Sequence, residues 1–264
     1  MSLPSPTLHD RSEEDGRAYH VTEKNRTGFR RSIRLYRLFR VEQTDPDLFY
    51  RNLAEDAVQQ VADHCELTGR TVVDIGGGNG WFSSAFRARG SNSYLFEPDL
   101  TELRGRGRPL AAAVVADGYW LPVRDAAADV VFSSNVLEHV SDPMGLIEEM
   151  VRVARVGGLV YLSFTNWYSP WGGHEMSPWH YLGPRFAERR YVRRNQKLPK
   201  NRPGVTLFTL HIGPLLRQLR ARPDLEIVAA RPRYYPNWCR FLLRLPLLRE
   251  FFTWNLMVIV RRVR

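Results

Sequence analysis

At 264 residues, with 44% apolar and 25% charged side chains, the chain has an ordinary globular composition. That excludes wholesale disorder and admits one α/β domain with an added cap or arm. The formal net charge of +10 is unevenly spread: residues 26–40 carry six arginines and no acid, 184–202 eight basic residues against Glu188, and 231–264 eight against Glu250. Basicity therefore reads as sitting on appendages around an acidic body.

Cys65 and Cys239 are the only cysteines, with no CxxC pair. A disulfide scaffold and a thiolate zinc site are excluded, and a reducing, cytoplasmic compartment fits. The N-terminus is polar and acidic, which does not read as a secretion signal. No apolar run approaches the ~20 residues of a spanning helix.

In chain order, residues 1–24 read as a mobile arm. From Thr27 to about Val41 the pattern is that of a two-faced helix, with Arg26, Arg30, Arg34 and Arg37 in one arc and Phe29, Leu35, Tyr36 and Phe39 opposite. Asp45-Pro46-Asp47 opens a second helix that runs to about Cys65. Residues 1–66 thus form an N-terminal arm with basic cap helices, and 67–264 the main domain. There a βα rhythm begins: a buried strand at Thr71–Ile75, a turn at Gly76–Gly80, a helix at Trp81–Arg89, and strands at Ser93–Phe96, Ala112–Val115 and Asp129–Ser134. Asp142-Pro143 starts a helix expected to close at Gly157-Gly158 near Val156, followed by a fifth strand at Leu159–Phe164. Alternating buried strands and helices predict a parallel sheet covered on both faces. Residues 165–204 break the rhythm as an aromatic-rich insertion. A helix at Thr209–Arg222 and strands at Leu225–Ala230 and Leu256–Val263 complete the chain.

Chemistry is concentrated in Val73-Asp74-Ile75-Gly76-Gly77-Gly78-Asn79-Gly80. Glycines at 76, 78 and 80, after a buried strand and before a helix, clear side chains from a place where a ligand approaches backbone. The spacing is GxGxG, with an acid near the strand end, and not the GxGxxG of a dinucleotide fingerprint. Glu97 ends the second strand, where a carboxylate can accept both hydroxyls of a ribose. Asp117 ends the third strand, in reach of an exocyclic amine. Asn135-Val136-Leu137-Glu138-His139-Val140 follows the fourth.

These pieces in register, from Thr71 to Phe164, resemble the class I S-adenosylmethionine-dependent methyltransferases, specifically their type 11 subgroup. The resemblance implies an α/β, Rossmann-like seven-stranded sheet with the last strand antiparallel, carrying the N-terminal helical segment and the insertion after strand five. It implies S-adenosylmethionine as cofactor: Gly76, Gly78 and Gly80 beside its methionine part, Asp74 under the amino group, Glu97 on the ribose, Asp117 and the Gly118 backbone at the adenine, and Asn135 facing the methyl group. The insertion Ser169–Gly183 is similar to that of actinobacterial methyltransferases linked to cell-envelope metabolism.

Methyl transfer from a sulfonium is an in-line displacement that needs a nucleophile held ~3 to 3.5 Å from the methyl carbon, water excluded and, for an alcohol, a proton removed. His139, His174, Glu175 and His180 are the candidates for that proton, each with a plain alternative as a packing or hydrogen-bonding residue. His174, Glu175 and His180 lack an H-x-x-x-H pattern on one helical face, so no metal is expected. The expected activity is O-methylation of a small-molecule, glycan or lipid-linked acceptor. An RNA methyltransferase and a non-catalytic cofactor-binding partner protein are the alternatives. Against the first, strand four ends Ser133-Ser134-Asn135-Val136 without an NPPY tetrapeptide, no RNA-binding module is recognisable, and nucleic acid is not expected as a partner. Between Trp238 and Phe252, large apolar residues interleave with Arg240, Arg244 and Arg249. The segment either completes the core or meets an anionic membrane surface, which would place the protein at the inner face of the membrane.

Overall fold

The computed structural model describes residues 28–42, 44–105 and 112–264. Residues 1–27, with the expected arm and Arg26, lie outside the described residues. Seven strands form one sheet: β1 (Thr71–Ile75), β2 (Asn92–Phe96), β3 (Ala113–Val114), β4 (Ala128–Ser134), β5 (Ala154–Thr165), β6 (Leu225–Pro232) and β7 (Asn255–Arg262). Their order is β3-β2-β1-β4-β5-β7-β6. The first five pair in parallel, as the strand–helix alternation predicts, and β7 runs antiparallel to both β5 and β6, as the resemblance implies for the last strand.

Period-two alternation sorts the strand side chains onto two buried faces. Val72, Val130, Phe132, Tyr161 and Ile259 pack against α2 (Pro46–Ala62) and α3 (Trp81–Ala88) through Leu53, Ala57, Val61 and Phe86. Val73, Ile75, Val131, Val160 and Val258 pack against α5 (Pro143–Val153) and α7 (Ile212–Ala221) through Leu146, Ile147, Leu215 and Leu219. Phe132 stacks on Tyr161 at 4.5 Å between ring centroids. The short α4 (Leu100–Arg104) follows β2. Among the described residues, no helix is long and apolar enough to cross a membrane.

Helix α1 (Phe29–Arg40) docks differently from the expected wheel. Leu35 is buried, but Phe29 and Tyr36 are exposed. The inward face instead includes Arg31, whose guanidinium pairs with buried Asp56 of α2 through two hydrogen bonds of 2.6 and 2.5 Å. A carboxylate on the facing helix makes an arginine tolerable where hydropathy alone puts it outside. Arg233 is also fully buried, so the basic stretches are not purely surface appendages. Helix α5 stops at Val153, three residues before the expected end. Ala154 already pairs with Ala128, while the Arg262 side chain donates to the carbonyls of Val151, Arg152 and Ala154 at 2.8–3.1 Å.

The insertion holds α6 (Pro184–Asn195), which the sequence pattern did not separate from its basic surroundings. Trp167, Met176, Ala187 and Leu207 form a small core there. Between β6 and β7 lie a 3-10 helix (Asn237–Arg244) and α8 (Pro246–Phe252). Of these residues only Cys239 and Leu243 are buried, Leu243 joining the core beside α5 and α7 while most of the segment's large apolar side chains stay outside it.

Candidate functional site

In a parallel sheet the carboxyl ends of the strands share one edge, and here the loops after β1, β2, β4 and β5 meet there. The first is the glycine turn, tied to β2 by the Gly76 amide on the Phe96 carbonyl at 2.8 Å. Gly76, Gly78 and Gly80 all have φ between +54° and +94°, a left-handed region that side chains disfavour. A Cβ on Gly76 would lie 2.5 Å from Val136 Cγ2, and one on Gly77 2.5 Å from Asp74 Oδ2, whereas Gly78 faces open space. The turn is therefore packed from behind and bare in front.

Asp74 sits behind it, fully buried. Its Oδ2 accepts from the Ser83 hydroxyl at 2.8 Å, while Oδ1 is buried without a hydrogen-bond partner among the described residues. Burial pushes this carboxyl up to about 7, against the smaller lowering by Ser83. Glu97 uses one oxygen to accept from the Gly78 amide and the other from the Asp99 amide, both at 3.0 Å. Each oxygen keeps a further lone pair for a ligand, and burial raises its pKa. Asp117 is exposed, its side chain accepting from the Tyr119 amide at 3.0 Å. Gly118 lies where a Cβ would meet Leu146 Cδ1 at 2.9 Å, so its absence of a side chain serves core packing.

Asn135, at the end of β4, also has positive φ, +58°. Its Oδ1 accepts from Asn255 Nδ2 at 2.8 Å and lies 3.5 Å from Arg233 Nη1. The same Arg233 nitrogen donates to Ser134 Oγ and Ser163 Oγ at 2.8 Å. Sequence reasoning missed Asn255 and Arg233. They reach the site only through the antiparallel return of β7, more than 90 residues along the chain, and Arg233 reads locally as one more surface cation.

A second group forms just beyond Asn135. Glu138 is buried, its Oε1 accepting from the Thr165 amide at 2.9 Å. His139 Nδ1 lies 2.8 Å from the Thr206 carbonyl. The rings of His139 and His174 meet edge-on with centroids 5.1 Å apart. One ligand-type atom from each of Glu138, His139 and His174 lies within 4.8 Å of the other two. Burial raises the Glu138 carboxyl and lowers His174 to about 4, so the His174 ring is neutral at neutral pH.

The other two proton-handling candidates lie apart. Both Glu175 oxygens accept from Asn201, at 3.1 Å from its amide and 3.0 Å from its side chain, fastening the end of the insertion. His180 is buried inside the insertion, with Nε2 3.1 Å from the Ser169 carbonyl and its ring edge-on to Trp167. The insertion itself lies over the strand ends. It reaches the 3-10 turn after β4 (Leu137–His139) through His174, α4 through a Lys200–Glu102 ion pair, and α1 through Phe39 against Trp171.

Residues 73–162 match a family described as a methyltransferase domain. An uncharacterized methyltransferase of Mycolicibacterium vanbaalenii is 44% identical over 247 residues, covering 90% of this chain and 96% of its own. One from Mycobacterium tuberculosis is 42% identical over 245 residues, covering 89% and 96%. A solved structure described as an S-adenosylmethionine-dependent methyltransferase from Mesorhizobium loti shares the fold, with a TM-score of 0.53 at 21% identity over 79% of this chain and 98% of that one.

Proposed function

Because the chain belongs to the class I S-adenosylmethionine-dependent methyltransferases, we propose that it methylates an oxygen of a small-molecule, glycan or lipid-linked acceptor, whose hydroxyl is activated at Glu138, His139 and His174. The observation that carries this reading is the convergence of those three side chains just after Asn135 and Val136, the latter packed against Gly76 of the glycine turn.

The residues fit the cofactor. The glycine turn is bare where a ligand's backbone-hugging chain would pass, and Asp74 Oδ1 is a buried acceptor without a partner. Asp74 would hold the amino group, Glu97 the ribose hydroxyls and Asp117 the adenine amine. Bound there, S-adenosylmethionine would supply a sulfonium-activated methyl group for an acceptor oxygen that gives up its hydroxyl proton. The chain's own part is to set the acceptor oxygen in line, to exclude water with the insertion, and to take up or direct that proton.

Support for a lipid-linked acceptor comes from where the exposed apolar residues lie. Strand β6 ends and β7 begins at the cleft end of the sheet, with Pro232 paired to Leu256 and Thr165 to Asn255. The segment between them therefore sits beside the cleft, and its Phe251 stacks on Tyr168 of the insertion at 5.1 Å. Trp238 is 68%, Leu247 77% and Phe252 55% exposed, alongside exposed Arg240 and Arg244. Such a surface suits the boundary of an anionic bilayer.

The test is turnover against lipid and metabolite extracts with labelled methyl donor, paired with calorimetric binding of S-adenosylhomocysteine. His139→Ala and His174→Ala should each lower turnover ~10²- to 10⁴-fold while changing product affinity by less than about threefold. Unchanged turnover would remove the cluster from the reaction.

A further inference from the structure

Resting on the O-methylation reading and deepening it, we infer that Glu138, His139 and His174 form a site for one divalent cation of the zinc class. The donor set is two imidazole nitrogens and one carboxylate oxygen. That set suits a first-row transition ion better than Mg²⁺, and three protein ligands leave a coordination position open. The candidate atoms already lie within 4.8 Å of one another. Ligands at ~2.0–2.2 Å in a tetrahedron stand about 3.3–3.6 Å apart, so side-chain rotation of little over an ångström closes the site.

Each ligand is held from behind by the protein. Glu138 is fixed through Oε1 on the Thr165 amide, which leaves Oε2, buried and without a hydrogen-bond partner among the described residues. His139 has Nδ1 against the Thr206 carbonyl. A carbonyl only accepts, so Nδ1 carries the proton and the neutral ring keeps its Nε2 lone pair free, the arrangement by which metal-ligating histidines are oriented. His174 Nε2 is likewise buried without a partner. Its backbone is in the left-handed region at φ +49°, a conformation uncommon outside glycine, and its ring meets that of His139.

A hydrogen-bonded proton relay is the competing arrangement, yet none of these three side chains donates to another. Glu138 Oε2 and His174 Nε2 are each buried without a partner among the described residues, and a shared cation satisfies both together. One side remains open, since His139 and His174 are only half-buried. A cation there would make an approaching acceptor hydroxyl more acidic, its proton leaving to bulk water through that open side.

The experiment uses the untagged chain, stripped with chelator and titrated with Zn²⁺ by calorimetry and with Co²⁺ by visible absorption. One equivalent of Zn²⁺ should bind, and Co²⁺ should give the visible bands of a four- or five-coordinate nitrogen–oxygen site. Glu138→Gln and His174→Ala should each weaken Zn²⁺ by about 100-fold or more, His64→Ala, just past the end of α2 and outside the cluster, should leave it unchanged, and Mg²⁺ should not compete at equal concentration. The same samples are titrated with S-adenosylhomocysteine, whose retained binding shows that the variants fold. Failure to take up one equivalent of Zn²⁺, or uptake indifferent to His174→Ala, overturns the cation site and, with product binding intact, leaves the methyltransferase reading standing. Absence of product binding in the unaltered chain would instead count against the cofactor reading.

Discussion

Asp74 shows how much one side chain's burial governs ligand binding. Its carboxyl titrates near 7 because it is fully buried with a single hydroxyl against it. Below that pH the ligand-free protein holds it protonated, whereas a cofactor ammonium requires the carboxylate. Affinity for S-adenosylmethionine should therefore fall as pH drops below 7, approaching ~10-fold per unit. Calorimetry from pH 5 to 8 checks this, and Asp74→Asn should bind weakly with the slope removed. Stability moves the other way in the free protein. The folded pKa lies above the unfolded 3.8, so this residue's contribution is fully present below about 4 and is lost as pH rises through 7. The placement of the glycine turn, Glu97 and Asp117 was legible in the sequence, because each lies within a few residues of a strand end. The pairing of His139 with His174 was not, since 35 residues and a whole β-strand separate them.

At the scale of elements, continuous apolar runs served better than period 3.6. Strands buried on both faces leave no doubt about which residues are core, and the five parallel strands fell where their apolar runs lay. Only β3 shrank, to Ala113–Val114. Helix α1 was harder because its docking rests on an ion pair that no hydropathy pattern reveals. That pair has side chains only 4% and 7% exposed, and Arg31 also donates to the Arg233 carbonyl at 2.9 Å. Asp56→Ala leaves a buried guanidinium without its countercharge and should destabilise the fold by ~3–5 kcal/mol. Denaturant unfolding checks the value. Arg31→Met combined with Asp56→Leu should recover most of the loss, because an apolar pair of similar volume needs no desolvation of charge. Full loss in the double variant would mean that the Arg31–Arg233 contact, not the ion pair, holds α1.

For the molecule as a whole, the net charge of +10 and the exposed apolar segment beside the cleft act together. Vesicles containing anionic lipid should sediment with the protein at low salt, and neutral ones far less. Binding should weaken as the screening length shortens from ~10 Å at 0.1 M salt toward ~3 Å at 1 M. Trp238→Ser with Phe252→Ser should reduce binding several-fold without altering S-adenosylhomocysteine affinity. Equal sedimentation with neutral and anionic vesicles, or none with either, would remove the anionic-surface reading and favour a water-borne acceptor.

The antiparallel course of β7 has a practical side. It starts beside Thr165 at the mouth and finishes at Arg262, against the carbonyls that close α5. Eight residues of strand, seven rises of ~3.3 Å, put roughly 23 Å between those two ends. A dye or surface anchor attached at Arg264 would thus stand on the far rim of the sheet. Molecules tethered that way to a sensor chip would all present their mouths outward, free to meet an acceptor or a bilayer brought to them in flow.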